Sequence, residues 1–256
     1  METVSFSDSK GNKLLGIVSI PKQAKSIVIM SHGFTSSKDG KLYLELESEL
    51  NKNGIGTFRY DYYGHGPLYC KDSAYGVSKD VTISKCVDSL KAALELVRSK
   101  GTSEIGLIGS SFGGLISLII ASQDSEIKGL ALKSPVTDPV EFWEERLGNQ
   151  RIEKWKKEGI MHYDERSEKF ELNYGFWEDL ITFDTFKMAK HITCPILIVH
   201  GDKDFVVPIK QSQDFAKVVK TKVRIVKGAN HVYSDPLHYK EMKKLIIDFF
   251  AEKLAR

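Results

Sequence analysis

"IGLIGSSFGGLISLIIAS", residues 105–122, is an apolar run, a cluster of small residues, and a second apolar run. The first run, Ile105–Gly109, reads as a buried strand, and Phe112–Ser122 reads as a helix that opens directly after it. Between them, Gly109-Ser110-Ser111-Phe112-Gly113 fits Gly-x-Ser-x-Gly, a pattern expected by chance on the order of 0.1 times in a chain of this length. Context makes it informative. A serine on a sharp strand-to-helix turn is held in a strained, exposed position, and flanking side chains would meet neighbouring backbone, so glycine stands on either side. The middle residue is Ser111, not Ser110. The helix beyond it aims its positive end at the serine oxygen and at any oxyanion formed there.

A serine hydroxyl needs a base to take its proton, and the base needs a carboxylate to orient it. Both are found downstream, each after a strand. "ILIVH" (196–200) is followed by "GDKDFVVP", and "VRIV" (223–226) by "KGANH". His231 follows the last strand and precedes the last helix, so it is the expected base, with Asp204 the acid that holds it. Asp202 competes with Asp204, but it stands where a side chain caps the turn after Gly201. His238 reads as a surface residue at the start of the last helix, His191 as part of a connection, and His162 as facing a pocket or solvent. Donors for a developing oxyanion are expected from the backbone N–H of Phe112 and, in the loop "MSHGFTSSK", from Phe34, with Gly33 shaping the turn. His32 is expected to brace that loop. The glycines of "DYYGHG" (61–66) shape another turn, and His65 receives no catalytic role.

The rest of the chain repeats strand and helix. Strands are expected at Thr3–Ser7, Leu14–Ile20, Ser26–Ser31, Gly56–Asp61, Ile105–Gly109, Ile127–Lys133, Ile196–His200 and Val223–Val226. Several are almost wholly apolar, as in a parallel sheet covered on both faces. Helical stretches fall at Gly40–Asn53, Lys79–Lys100, Phe112–Ser122, Pro208–Val219 and His238–Ala255. The alternation predicts a doubly wound α/β sheet, opened by an antiparallel pair. The last helix carries Leu245, Ile246, Phe249, Phe250 and Leu254 on one face, for packing on the sheet. From Asp138 to Lys190 the rhythm breaks. Charged helical turns and "KFELNYGFWEDLITFDTF" hold all three tryptophans, Trp143, Trp155 and Trp177. This segment is expected to be a cap inserted into a core domain made of 1–137 and 191–256. Its aromatics are expected either to fasten it to the sheet or to line a pocket, with Trp143, Trp155, Tyr174 and Trp177 as the substrate-binding candidates.

Composition bounds the partners. The 256 residues carry a net charge of +3 with 28% charged residues, and no basic stripe suits a phosphate backbone, so nucleic acid is not expected. The start, Met-Glu-Thr-Val-Ser-Phe, lacks a signal-peptide pattern, and no apolar run approaches the ~20 residues of a bilayer span. Cys70, Cys86 and Cys194 show no metal-ligand spacing and read as reduced thiols of a cytoplasmic protein.

With HGF (32–34), DYYGHG (61–66), GSSFGG (109–114), HGDKDFVVP (200–208) and GANH (228–231) in this order, the chain resembles the α/β-hydrolase superfamily. The resemblance implies an α/β-hydrolase fold with an eight-stranded, mostly parallel sheet, a Ser111–His231–Asp204 triad and no cofactor or metal. Two branches look nearest: small cinnamoyl or feruloyl esterases, which share the HGFT loop, and depalmitoylating thioesterases, which share GSSxGG. Where relatives often read Gly-His-Gly-x-Ser, this chain has the longer GHGPLYCKDSAYG (64–76), expected to reshape the pocket rim. The function expected first is hydrolysis of carboxylic esters of short or medium acyl or aryl type. Acyl-thioester hydrolysis follows, then a peptidase of the prolyl-oligopeptidase kind, whose large extra domain these residues do not include, and a non-catalytic ligand-binding protein. The partner expected is a small-molecule ester, with a homodimer left open and no membrane.

Overall fold

The structure is a computed structural model and describes residues 1–66, 77–102, 104–163 and 170–254. β1 (Glu2–Ser7) and β2 (Lys13–Ser19) form an antiparallel pair; β3 (Ser26–Ser31), α1 (Lys41–Lys52), β4 (Gly56–Tyr60), α2 (Ile83–Ser99), β5 (Glu104–Ser110), α3 (Phe112–Gln123) and β6 (Ile127–Lys133) follow. Then come α4 (Pro139–Glu158), β7 (Ile160–Tyr163), β8 (Phe170–Asn173), α5 (Gly175–Leu180), α6 (Thr185–Ala189), β9 (Ile196–Gly201), α7 (Ile209–Val218), β10 (Val223–Val226) and α8 (Pro236–Leu254). Eight strands make one sheet in the order β1-β2-β4-β3-β5-β6-β9-β10. Pairing is antiparallel from β1 to β4 across β2 and parallel from β4 onward. All eight expected sheet strands are present, with ends shifted by a residue or so.

β3 is buried along its whole length because helices cover both faces of the sheet. Ile27 and Ile29 face the core shared with α2 and α3, whereas Val28 and Met30 face the core shared with α1 and α8. α8 packs on the sheet through Met242, Ile246, Phe250 and Leu254, while Leu245 and Phe249 are half-buried beside them. α3, which follows Ser111, is buried from Phe112 to Ala121, which explains its almost uniform apolarity.

Between β6 and β9 the chain makes no further strand of this sheet among the described residues. α4 bends at Gly148 (φ 71°, ψ 155°), and β7 pairs antiparallel with β8 in a separate two-stranded sheet that the sequence pattern did not announce. The segment's apolar side chains run continuously into the core on the α2–α3 face. Its root is fastened to α7, where the buried Gln211 accepts from the amides of Thr137 and Asp138 through Oε1 at 3.0 and 3.2 Å. Its far side is fastened near α2, where Ser84 N–H donates to Asp179 at 2.8 Å and Asn173 Nδ2 to Asp80 at 2.8 Å. Cys86 is buried and Cys194 half-buried, both as free thiols. Cys70 and most of the long 64–76 loop lie outside the described residues. Among the described residues no helix is long and apolar enough to cross a membrane.

Candidate active site

Ser111 occupies the single residue between β5 and α3, with φ 56° and ψ −116°. For a residue with a Cβ this is a strained conformation, and the backbone around it is fully engaged. Its amide donates to the Lys133 carbonyl at 2.9 Å, and its carbonyl accepts from Gly114 N–H at 2.9 Å and Val136 N–H at 3.1 Å. The flanking glycines are required by contact. A Cβ at Gly109 would lie 2.2 Å from the Gly113 carbonyl oxygen, and one at Gly113 would lie 2.1 Å from that of Ser31. Phe112 is the first residue of α3, and the amide of a first helical residue has no intrahelical acceptor, so it is available to an oxyanion.

The loops after β9 and β10 bring Asp204 and His231 together. His231 Nδ1 lies 2.6 Å from Asp204 Oδ2. Asp204 Oδ1 accepts from the amides of Val206 and Val207, each at 2.9 Å. A further partner escaped the sequence reading. His200, which ends "ILIVH", places Nε2 3.1 Å from Asp204 Oδ2 and 3.0 Å from the Val207 carbonyl, and Nδ1 2.7 Å from Ser212 Oγ. Two acceptors at Nε2 assign the proton there, so His200 donates to the carboxylate. Burial opposes ionisation of Asp204, but hydrogen bonds from His200 and His231, then the charge of His231 and the amide bonds, outweigh it. The carboxyl is held far below the usual carboxylate range. His231 is pushed down from 6.5, first by burial and further by the charge of Lys133, against the pull of Asp204. A neutral imidazole is the form a general base needs.

Asp202 does not join this group. Its Oδ1 accepts from Gly228 N–H at 2.6 Å, tying the β9 loop to the loop that carries His231. His162 is exposed beside Glu171, His191 is exposed, and His238 is half-buried against Gly228.

The loop after β3 carries Phe34. Its sharp turn differs in detail from expectation: a Cβ at Gly33 would meet only ordinary contacts, the nearest at 3.6 Å, and Thr35 takes the left-handed conformation with φ 58°. Beneath the loop lies a charge network, buried except at Asp39. Lys38 Nζ and its amide both bond Asp61 at 2.7 Å, while Arg59 bonds Asp39, Glu47 and the Lys38 carbonyl. His32 braces the loop as expected, with Nδ1 2.9 Å from the Gly33 carbonyl; burial lowers its pKa to about 4 and keeps it neutral. His65 is likewise buried and neutral, with a pKa lowered to about 3, and stacks on Phe112 at 6.0 Å.

One cavity of about 830 Å³ is lined by Phe34, Ser111, Phe112 and His231 together, a volume suited to a small organic molecule. Lys133, Phe142, Trp143, Arg146 and Phe170 are among its other lining residues. Of the four aromatics expected to meet substrate, only Trp143 lines it. Trp155 is buried in the inserted segment, where its indole N–H donates to the Leu172 carbonyl at 2.9 Å; Tyr174 packs edge-on against Trp155, and Trp177 is buried in the core. These three hold the segment together instead. Phe142 and Arg146, which the sequence reading passed over, share with Trp143 the inner face of α4 before its bend. Phe170 packs against Phe34 with ring centroids 4.9 Å apart.

A doubly wound sheet with Ser111 on the turn after β5, and with Asp204 and His231 after β9 and β10, defines the α/β-hydrolase class. Residues 69–256 match the model of the prolyl oligopeptidase family, Peptidase_S9, and the chain belongs to that family. It is 26% identical to the solved Est1E from Butyrivibrio proteoclasticus, described with bound ferulic acid, with a TM-score of 0.84 over 99% of this chain and 100% of that one. It is 24% identical to esterase EstD of Thermotoga maritima over 96% of this chain and 65% of that protein. To the human mitochondrial palmitoyl-protein thioesterase ABHD10 it is 24% identical over 78% of this chain and 64% of that protein. The chain thus spans less than two thirds of the length of these curated relatives.

Proposed function

We propose that the protein is a serine hydrolase of carboxylic esters, with acyl groups of short to medium length or aryl type. The observation that supports this most is the meeting of Ser111, His231 and the Phe34–Phe112 pair at one cavity, with Asp204 on the far nitrogen of the base. In this reading Ser111 Oγ attacks the acyl carbonyl as His231 Nε2 takes its proton. Asp204 holds Nδ1–H and stabilises the imidazolium, and the amides of Phe34 and Phe112 receive the oxyanion. The protonated His231 then gives its proton to the leaving alcohol. Water, activated by the same imidazole, hydrolyses the acyl-enzyme. Residues 138–190 act as a cap, and Trp143 and Phe170 offer flat apolar surface to the acyl group. The ferulic acid in the Est1E structure supports the aryl preference. We place the protein in the cytoplasm, with Cys86 and Cys194 reduced and a small ester as its partner.

A panel of p-nitrophenyl esters from acetyl to decanoyl, aryl esters, matched thioesters and dipeptide anilides tests this. Aryl and medium acyl esters are expected to give the highest kcat/KM, and Trp143→Leu is expected to shift the optimum toward longer chains. A strict preference for acetyl, or anilides cleaved better than any ester, would overturn the reading. The similarity to a thioesterase makes acyl thioesters the second class to compare. Asp204→Asn is expected to lower kcat by about 10⁴-fold, because the amide no longer fixes the tautomer of His231; kcat on p-nitrophenyl butyrate measures it.

A further inference from the structure

Lys133 ends β6, the strand that lies between the nucleophile's strand and that of the acid. It is 6% exposed. Its main chain and its side chain serve different parts of the site. The carbonyl accepts from the Ser111 amide at 2.9 Å, and Nζ donates to the His231 carbonyl at 2.5 Å, 5.1 Å from the centre of the Tyr233 ring. The residue also lines the cavity with Ser111 and His231. A leucine or methionine there would pack without loss of hydration, whereas burying an ammonium is costly. Burial lowers the Lys133 pKa to about 8, with only the charge of Asp204 acting the other way. That leaves the lysine a stronger base than an ordinary histidine, charged at the pH where the imidazole takes up its proton.

We propose that Lys133 is a positioning residue for hydrolysis, which ties the nucleophile's turn to the loop of the base and sets its positive charge against protonation of His231. The inference rests on the triad reading above. Among the described residues the charges that weigh on His231 are those of Lys133 from β6, which disfavours the imidazolium, and Asp204 from the β9–α7 loop, which favours it, with His200 from β9 acting on the side of Lys133. Asp204 alone would make the base easier to protonate. Lys133 counters that effect and leaves the imidazole neutral at lower pH. Removing the charge raises the pKa of His231, so the acidic limb of the rate profile moves up in pH.

The test uses the full chain with p-nitrophenyl butyrate, and in parallel the rate of fluorophosphonate labelling of Ser111, which follows the base independently of ester binding. In the wild type the acidic limb is expected below 6.5. Lys133→Gln is expected to move it up by roughly half to one pH unit, and Lys133→Arg, which keeps the charge, to leave it near the wild-type position. A merely structural lysine would lower the rate at every pH without moving the limb. The inference is overturned if the wild-type limb lies at or above 6.5, if the Gln profile superimposes on the wild type, or if Arg shifts as far as Gln. Ser111→Ala runs beside these as a control. Retained turnover there would instead overturn the hydrolase reading, whereas its loss together with unmoved Lys133 profiles overturns this inference alone.

Discussion

Ser111→Ala is expected to abolish ester hydrolysis, lowering kcat by at least ~10⁴-fold, with thermal stability unchanged. The backbone bonds that hold residue 111 in place use its amide and its carbonyl, not its hydroxyl. Alanine keeps the Cβ and therefore keeps the turn. In the proposed mechanism what disappears is the nucleophile, while the proposed donors at Phe34 and Phe112 remain to bind the carbonyl oxygen. Turnover of p-nitrophenyl butyrate, with a melting curve as the folding control, decides the matter. Wild-type turnover by the variant would remove the chemical argument at its root.

Gly113→Ala is expected to have the largest effect on folding. The added methyl would stand 2.1 Å from the Ser31 carbonyl oxygen and 2.5 Å from that of His32. Both are main-chain atoms at the exit of β3, and neither can swing aside as a side-chain end would. The helix preference gained by replacing glycine, at most ~1 kcal/mol, is small beside this collision. The start of α3 or the end of β3 has to move, with a loss of about 3 kcal/mol of stability. Gly175→Ala provides the comparison, since a Cβ there meets nothing within 4 Å. Urea unfolding of the two variants should separate them widely, and equal midpoints would show that the turn is less tightly packed than its contacts imply.

The centre of the sheet was legible because its strands are buried on both faces and so spell themselves as short apolar runs, such as SIVIMS (26–31) and ILIVH (196–200). The candidate residues Ser111, Asp204 and His231 stood out because each comes within a few positions of a strand's end. β7 and β8 were not legible. Each has four residues: FELN alternates apolar and polar over too short a span to mark a strand, and IMHY follows a charged helix end with no alternation. His200 and Lys133 were hidden for another reason. Both sit at strand ends, where a single polar letter reads as the edge of the element, and their importance depends on what faces them across neighbouring strands. The aromatics of the inserted segment were counted by type, whereas direction decides their role. Trp143 and Trp155 are twelve positions apart, roughly 120° around a regular helix, and the bend at Gly148 lies between them. One therefore reaches the cavity and the other the interior of the insert.

The inserted segment leaves the sheet after β6 and returns at β9, and these two strands are direct neighbours, with Leu130 opposite Ile196. The two strands run parallel, so the chain leaves at the edge of the sheet that carries the site and has to cross back to the opposite edge to start β9; α6, packed against α3 and α7, lies on that return path. Residues added to this crossover extend a connection that lies outside the hydrogen-bonded ladder of either strand, where length is tolerated best. Ser111, Asp204 and His231 stand on other connections of that edge, so a change of length or letter in this one alters the wall given by Trp143 and Phe170 before it reaches the ladder beneath.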